Sequence, residues 1–381
     1  MKTKLILTAL IIFCIVTAAQ TRVLNVEDLW AMKRISSPVV SPDGTKIGYI
    51  ITSYNMQKNS STSNIWILDI ESGLTKQITN SSYSKSSLCW NPNGKELGFI
   101  SDKFKKFQVF SINIVSNKIR QITNVATDIS KFFYSYDGKK IVFISKVYPG
   151  KTLKETALID IKKAKSKVKA QIIDGLLYRH WNRWTKGKVK HIFIVSVDGG
   201  KVFDLTPGNY NSPPISLGGD KDFALTRDGK KLFFIRNTDP MVAISTNNDL
   251  FCNFIDEQKI IKITKNRGND NSPVISGDEV YLAYRSMARS GFEADQEDLI
   301  LKNLKTGETV NLTKDFDRDV GYPIFSKGYI YFSSTNHYKE SIYRLKIKTG
   351  KIEKLIDKHY NELIHVTKNK IFFLRQSVKL P

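Results

Sequence analysis

The sequence predicts an all-β protein, a β-propeller of seven four-stranded blades whose last blade is incomplete. Three observations carry this. Turn signals of the Asp-Gly and Asn-Gly kind recur ahead of short runs of aromatic and β-branched residues. A second column, an apolar residue followed by threonine, recurs behind them. With 41% apolar, 25% charged and 11% aromatic residues, the chain also has the composition of a folded protein. Units of about 45 residues holding four short strands fit a propeller blade. Helical solenoids are excluded, because the periodicity inside the units is not that of helices.

Residues 1–20 stand apart from the repeats. Lys2 and Lys4 precede an apolar run over residues 5–16 and then Ala18 and Ala19, the pattern of a secretory signal peptide cleaved near Gln20. The run is short of the roughly 20 residues a bilayer span needs. Cys14 follows Phe13 and not a small residue, which argues against a lipid anchor. No later stretch is apolar enough to span, so no membrane span is expected after signal removal. The expected location is secreted or periplasmic.

The blades follow in order. Ser41-Pro-Asp-Gly44 leads into Lys46-Ile-Gly-Tyr-Ile50, and Asn91-Pro-Asn-Gly94 into Glu96-Leu-Gly-Phe-Ile100. Ser135-Tyr-Asp-Gly138 precedes Ile141-Val-Phe-Ile144, and Thr226-Arg-Asp-Gly229 precedes Leu232-Phe-Phe-Ile235. Weaker copies are Ser276-Gly-Asp278, Ser326-Lys-Gly328 and Lys368-Asn369, each ahead of its own aromatic run. Asp-Gly and Asn-Gly supply the positive φ values that a two-residue hairpin turn requires. Third strands are clearest at Ile65-Trp-Ile-Leu68, Ile192-Phe-Ile-Val195 and Ile342-Tyr-Arg-Leu345, closed by turns at Gly73, Gly199 and Gly350. Units end at Thr79, Thr123, Thr206, Thr264 and Thr313, at intervals of 44, 83, 58 and 49 residues. The long interval marks an expanded third blade over about 128–206. Six blades are thereby counted, and a seventh opens near Leu363 and reaches Pro381 after one hairpin. The propeller domain, residues 21–381, is therefore expected to be truncated. Its ring would close with strands from residues 23–30 or stay open.

Charge and cysteine usage narrow the function classes. Net charge is +23, from 59 basic and 36 acidic side chains, and Lys162, Lys163, Lys165, Lys167 and Lys169 form a basic run. Of the basic residues 46 are lysine, spread over every blade, whereas bidentate nucleic-acid recognition leans on arginine. A solvated face is the better reading, and no nucleic acid is expected as a partner. Three cysteines exclude a disulfide scaffold and a multi-cysteine zinc module. Cys89 and Cys252 lie in apolar, strand-like stretches and are expected as buried free thiols, with a bridge between them as the alternative. Five histidines without paired spacing argue against a histidine-built metal site, and no cofactor is expected.

The repeat resembles the PD40-type propeller unit, and longer segments narrow the resemblance. Leu177-Tyr-Arg-His-Trp-Asn-Arg-Trp184, Asp204-Leu-Thr-Pro-Gly208, Ser245-Thr-Asn-Asn-Asp-Leu250 and the Gly291-Phe-Glu-Ala-Asp295 stretch resemble the N-terminal propeller of the prolyl oligopeptidase family of serine peptidases. Within it they are most similar to the dipeptidyl peptidase V and acylaminoacyl peptidase branch, and the likeness covers residues 22–381. Members of that family continue into an α/β-hydrolase domain with a Gly-x-Ser-x-Gly nucleophile elbow. No Gly-x-Ser-x-Gly occurs in these residues, so no catalytic residue is assigned. The resemblance implies the substrate-gating part of an exopeptidase that releases short N-terminal units from peptide substrates. The catalytic hydrolase domain would lie outside this chain. The alternative is a non-enzymatic periplasmic propeller resembling TolB, which binds a peptide or protein partner.

Four residues are the candidate substrate contacts. The resemblance makes Glu293, then Asp295, the carboxylate that would hold a substrate's free amino terminus, against a reading as solvated loop acids. Arg179 and Trp181, with His180 and Trp184, would form a substrate-facing wall in the expanded third blade. The competing reading of that cluster is packing between blades.

Overall fold

The computed structural model describes residues 22–379, so the expected signal segment, with Cys14, lies outside the described residues. The described residues open on a short helix, α1 (Val26–Ala31), so the segment 23–30, one of the two ways the ring was expected to end, supplies no closing strand. The reason is local: Asn25 Oδ1 accepts the Asp28 N–H at 2.9 Å while the Asp28 carboxylate accepts the Asn25 N–H at 3.0 Å, a reciprocal cap.

Six blades of four antiparallel strands follow, five as separate four-stranded sheets and the sixth within a six-stranded sheet that also takes in a terminal hairpin. Blade one is β1 (Arg34–Val40), β2 (Lys46–Asn55), β3 (Ser60–Asp69) and β4 (Thr75–Gln77). Blade two is β5 (Lys85–Trp90), β6 (Glu96–Ser101), β7 (Gln108–Asn113) and β8 (Ile119–Gln121). Blade three begins with β9 (Ile129–Tyr134) and β10 (Lys140–Val147), then carries an insertion of α2 (Leu153–Lys165), β11 (Arg179–His180) and β12 (Arg183–Trp184). It ends with β13 (Val189–Ser196) and β14 (Phe203–Asp204). Blade four is β15 (Phe223–Leu225), β16 (Lys231–Asn237), β17 (Asn248–Phe254) and β18 (Lys259–Lys262). Blade five is β19 (Asp270–Ile275), β20 (Tyr281–Ser286), β21 (Asp298–Asn303) and β22 (Thr309–Asn311). Blade six is β23 (Ile324–Ser326), β24 (Tyr329–Asn336), β25 (Lys339–Lys346) and β26 (Ile352–Ile356). A hairpin, β27 (Tyr360–Val366) and β28 (Ile371–Gln376), follows and touches β25 through one parallel bridge, Glu340 to Tyr360. Where the sequence anticipates seven blades, the described residues hold six complete ones and this hairpin.

The first-to-second turns differ from the two-residue form the sequence suggests. In blade one the Gly44 N–H donates to the Ser41 carbonyl at 2.9 Å, and the turn's positive φ falls at Gly44, +70°. The aspartate serves as an acceptor instead. Asp43 takes the Ser41 hydroxyl at 2.5 Å and the Thr45 N–H at 3.0 Å, while Ser41 Oγ accepts the Lys46 N–H at 2.9 Å. The same lock recurs at Ser135 and Asp137, Thr226 and Asp228, and Ser276 and Asp278. In each, the hydroxyl donor holds the carboxyl below the usual carboxylate range.

The threonine column has one cause. Thr79, Thr123, Thr206, Thr264 and Thr313 each accept, through Oγ1, the backbone N–H of Ile65, Val109, Ile192, Leu250 and Leu299, at 2.8–2.9 Å. These donors lie on the third strands beyond the short fourth strands' pairing, so the hydroxyl completes a buried ladder.

The core lies between blades. One apolar cluster joins blades one and two through Ile65, Trp90, Leu97 and Phe110, and another joins blades two and three through Val109, Phe132, Phe143 and Phe193. The series continues around the ring and ends with Ile342 of blade six against Leu363 and Val366 of the terminal hairpin. Within four blades an aromatic pair faces across the second and third strands: Phe99 and Phe110, Phe143 and Phe193, Phe234 and Phe251, Phe332 and Tyr343, with ring centroids 5.5–5.8 Å apart. Cys252 is buried and Cys89 partly so, both as free thiols.

Candidate functional site

Strand alternation sorts the loops. The Asp-Gly turns lie on one face, and the second-to-third connections and the links between blades lie on the other. That second face carries the long segments: the blade-three insertion, the link over residues 205–222, and the loop over residues 287–297. α1 and the end of β28 also emerge there.

On this face a pocket of about 300 Å³ lies between blades five and six, and both Glu293 and Asp295 line it. They have different roles. Asp295 is buried and committed to its own loop: Oδ2 accepts the N–H groups of Ala288 at 3.0 Å and Arg289 at 2.7 Å, and Oδ1 takes Arg289 Nε at 2.8 Å. Burial alone would raise its pKa, but the Arg289 backbone and guanidinium outweigh it and hold the carboxyl below the usual range. The Gly291 N–H is tied to Thr246 Oγ1 at 2.8 Å, and the Arg289 guanidinium covers the Phe292 ring at 4.0 Å. The loop is thus pinned on both sides of Glu293, which is exposed and has no hydrogen-bond or ion-pair partner among the described residues.

Three further carboxylates join the lining: Glu297, Asp319 and Glu340. Glu297 is paired with Arg285, accepts the Asn271 amide at 2.6 Å, and donates its backbone N–H to Asp319 at 2.9 Å. Glu340 accepts the Thr335 hydroxyl at 2.9 Å. One guanidinium faces several carboxylates, so the pocket is net negative and suited to an ammonium group. Sequence reasoning missed Arg285, Glu297, Asp319 and Glu340, because they come from two blades and only the fold brings them together. The acid-rich Asp315-Phe-Asp-Arg-Asp319 stretch was the one signal available.

Arg179 and Trp181 are elsewhere, on the small hairpin β11–β12 of the insertion, and do not line this pocket. Packing between blades does not describe that cluster: Trp181 is 85% and Trp184 48% exposed. Trp184 stacks on Tyr178, centroids 5.7 Å apart, and His180 meets Trp181 edge-on at 6.3 Å. The rings contact one another on an outward projection because the insertion extends beyond the blade. Its helix α2 carries a Thr152–Glu155 capping box that the sequence offers but the repeat pattern obscures.

Among the described residues, no group of three or more histidine, cysteine or acidic side chains could hold a metal ion, and no helix is long and apolar enough to cross a membrane.

Comparison with known proteins agrees with this architecture. Residues 23–151 match the PD40 family, described as a TolB beta propeller domain. Dipeptidyl-peptidase 5 of Porphyromonas gingivalis is 27% identical over 369 residues, which is 94% of this chain and 53% of that protein. The Porphyromonas endodontalis protein of the same name is 27% identical over 286 residues, 73% of this chain and 40% of its own length. The chain spans about half the length of the curated relatives it matches. Among solved structures, Pyrococcus horikoshii acylaminoacyl peptidase superposes with a TM-score of 0.67 at 13% identity, over 91% of this chain and 50% of that one. The β-propeller domain of the Trilobed protease from Pyrococcus furiosus gives 0.61 at 14% identity and covers 91% of both chains. The chain is a β-propeller whose residues 23–151 match PD40; it is similar, over nearly its whole length, to part of the Porphyromonas gingivalis dipeptidyl-peptidase 5, and it shares its fold with part of the acylaminoacyl peptidase and with the Trilobed protease propeller.

Proposed function

We propose that this chain is the substrate-gating propeller of a secreted serine exopeptidase of the dipeptidyl-peptidase 5 kind, with every catalytic group on a hydrolase domain outside these residues. The observation that carries this is the acidic pocket on the long-loop face, with Glu293 held out from a pinned loop. A substrate's free α-ammonium would pair with Glu293, with Glu340 and Asp319 adding negative potential. Asp295 acts as the loop's brace, and Arg179 and Trp181 would contact peptide from the insertion. Because α1 and the end of β28 lie on the same face, a catalytic domain joined at either end would cover this pocket. Propeller capping then limits entry to short peptides. We infer further that β27–β28 open a seventh blade. β27 packs beside β1 and β23, as β5 packs beside β1 and β9 and β19 beside β15 and β23.

The test uses the native, full-length gene product and Glu293→Gln in it. For dipeptide substrates with a free amine, KM should rise about tenfold with kcat unchanged, the size expected from losing one charge-assisted contact. N-acetylated substrates should be unaffected. Unchanged KM for free-amine substrates sinks the anchor. A native intact mass equal to that of the signal-cleaved chain, with no peptidase activity, sinks the enzyme reading and leaves the TolB-like binding propeller, to which the PD40 match also points.

A further inference from the structure

A second and larger cavity, about 900 Å³, lies on the same face between blades two and three, against the start of α2. Its size is within the range of about 300–1,000 Å³ usual for small-ligand clefts. The walls are apolar, from Val125, Leu153, Phe193 and Val202, and the rim carries Lys106 and Lys154. His191 and Asp204 also line it but are committed. His191 Nδ1 meets Asp204 Oδ2 at 2.7 Å, His191 Nε2 donates to the Gly208 carbonyl at 3.0 Å, and Asp204 Oδ1 accepts the Thr206 N–H at 3.0 Å. Lys151, a third rim cation, lies 3.9 Å from Glu155. Lys106 and Lys154 are exposed and have no ion-pair or hydrogen-bond partner among the described residues. The N-terminus of α2 carries its own capping box between Thr152 and Glu155.

An apolar trough with two uncommitted cations at its mouth fits a ligand that joins an apolar group to one negative charge. A polar edge at Asn124 also suits an amide chain better than a plain hydrocarbon. We propose that this cavity binds the C-terminal residue of a peptide, its apolar side chain against Phe193 and Val125 and its carboxylate between Lys106 and Lys154. The ligand class rests on the peptide reading above, but the site and its groups are separate from the Glu293 pocket.

The experiment is calorimetric titration of the full chain with N-acetyl-Ala-Phe as the free acid, with its C-terminal amide, and with octanoate. Acetylation removes the ammonium, so the result is independent of whether the acidic pocket works. The acid should bind at least tenfold more tightly than the amide. The double variant Lys106→Gln/Lys154→Gln should lose about tenfold in affinity for the acid and none for the amide, the effect of two exposed charge contacts. Both lysines are exposed, so circular dichroism should show the variant folded. Acid affinity should also fall between 50 and 500 mM salt. Equal binding of acid and amide, absence of acid binding, or an unchanged double variant overturns the proposal. Binding of octanoate without the peptide acid overturns it too and makes the ligand a simple acyl anion.

Discussion

Gly98 offers a measure of how tightly the blades are fitted. A methyl group built there would lie 2.8 Å from Phe132 Cζ and from Tyr134 Oη, and 2.9 Å from Phe132 Cε2. Its backbone φ is ordinary, so the effect of Gly98→Ala is purely one of space. Phe132 is fully buried between blades two and three and cannot swing into solvent. Ordinary carbon contacts need about 3.5–4.0 Å, so the ring or the strand must move by more than half an ångström. Overpacking of this kind costs about 1–3 kcal/mol. Unfolding entropy scales at about 2.1 cal/mol/K per residue, so for a cooperative unit of this length each kcal/mol is about 1.3 °C. Differential scanning calorimetry should show Gly98→Ala melting about 1–4 °C below the parent. Gly175→Ala is the control, since nothing lies within 4 Å of its Cβ, and its melting temperature should hold or rise slightly. If Gly98→Ala melts with the parent, the packing of blade on blade is not the constraint argued here.

Thr123→Val keeps shape but strands the buried Val109 N–H, and should destabilise by about 1–3 kcal/mol in urea denaturation; Thr123→Ser should recover most of it, and an unchanged Thr123→Val would remove the explanation of the threonine column. Asp222 is buried and burial raises its carboxyl to about 6, against the hydrogen bonds from Ser272 and Gly219. A raised acid favours folding below its unfolded pKa near 4 and loses that contribution as pH climbs through about 6. Asp222→Asn, whose amide nitrogen cannot accept the Gly219 N–H, should therefore lose less stability than the parent between pH 4 and pH 8, by on the order of 2 kcal/mol. Equal pH dependence in the two proteins refutes this. The Glu293→Gln and Lys106→Gln/Lys154→Gln outcomes above complete the set.

Much of the fold was legible because its determinants are local and repeated. The Asp-Gly turns, aromatic runs and threonines each act within about fifteen residues, and Thr123 reaches Val109 in every respect as Thr313 reaches Leu299. What those residues do was less legible. Asp43 accepts hydrogen bonds where the sequence suggested a backbone conformation, and residues 26–31 form a capped helix where a closing strand was one of the two alternatives. Both depend on side-chain hydrogen bonds that compete with the generic propensity.

The sites belong to the tertiary structure. Glu293 could be singled out in its loop, yet its separation from Asp295 depends on Arg289 folding back across the loop, and its acidic companions come from strands and links up to 47 residues away, at Glu340. Likewise Lys106 and Lys154 meet over one cavity because blades two and three stand side by side. Sequence by itself determined the blade, since a hairpin and a capped ladder are settled by neighbours along the chain. Only the ring decided which charges share a pocket, because that follows from how blades pack face to face.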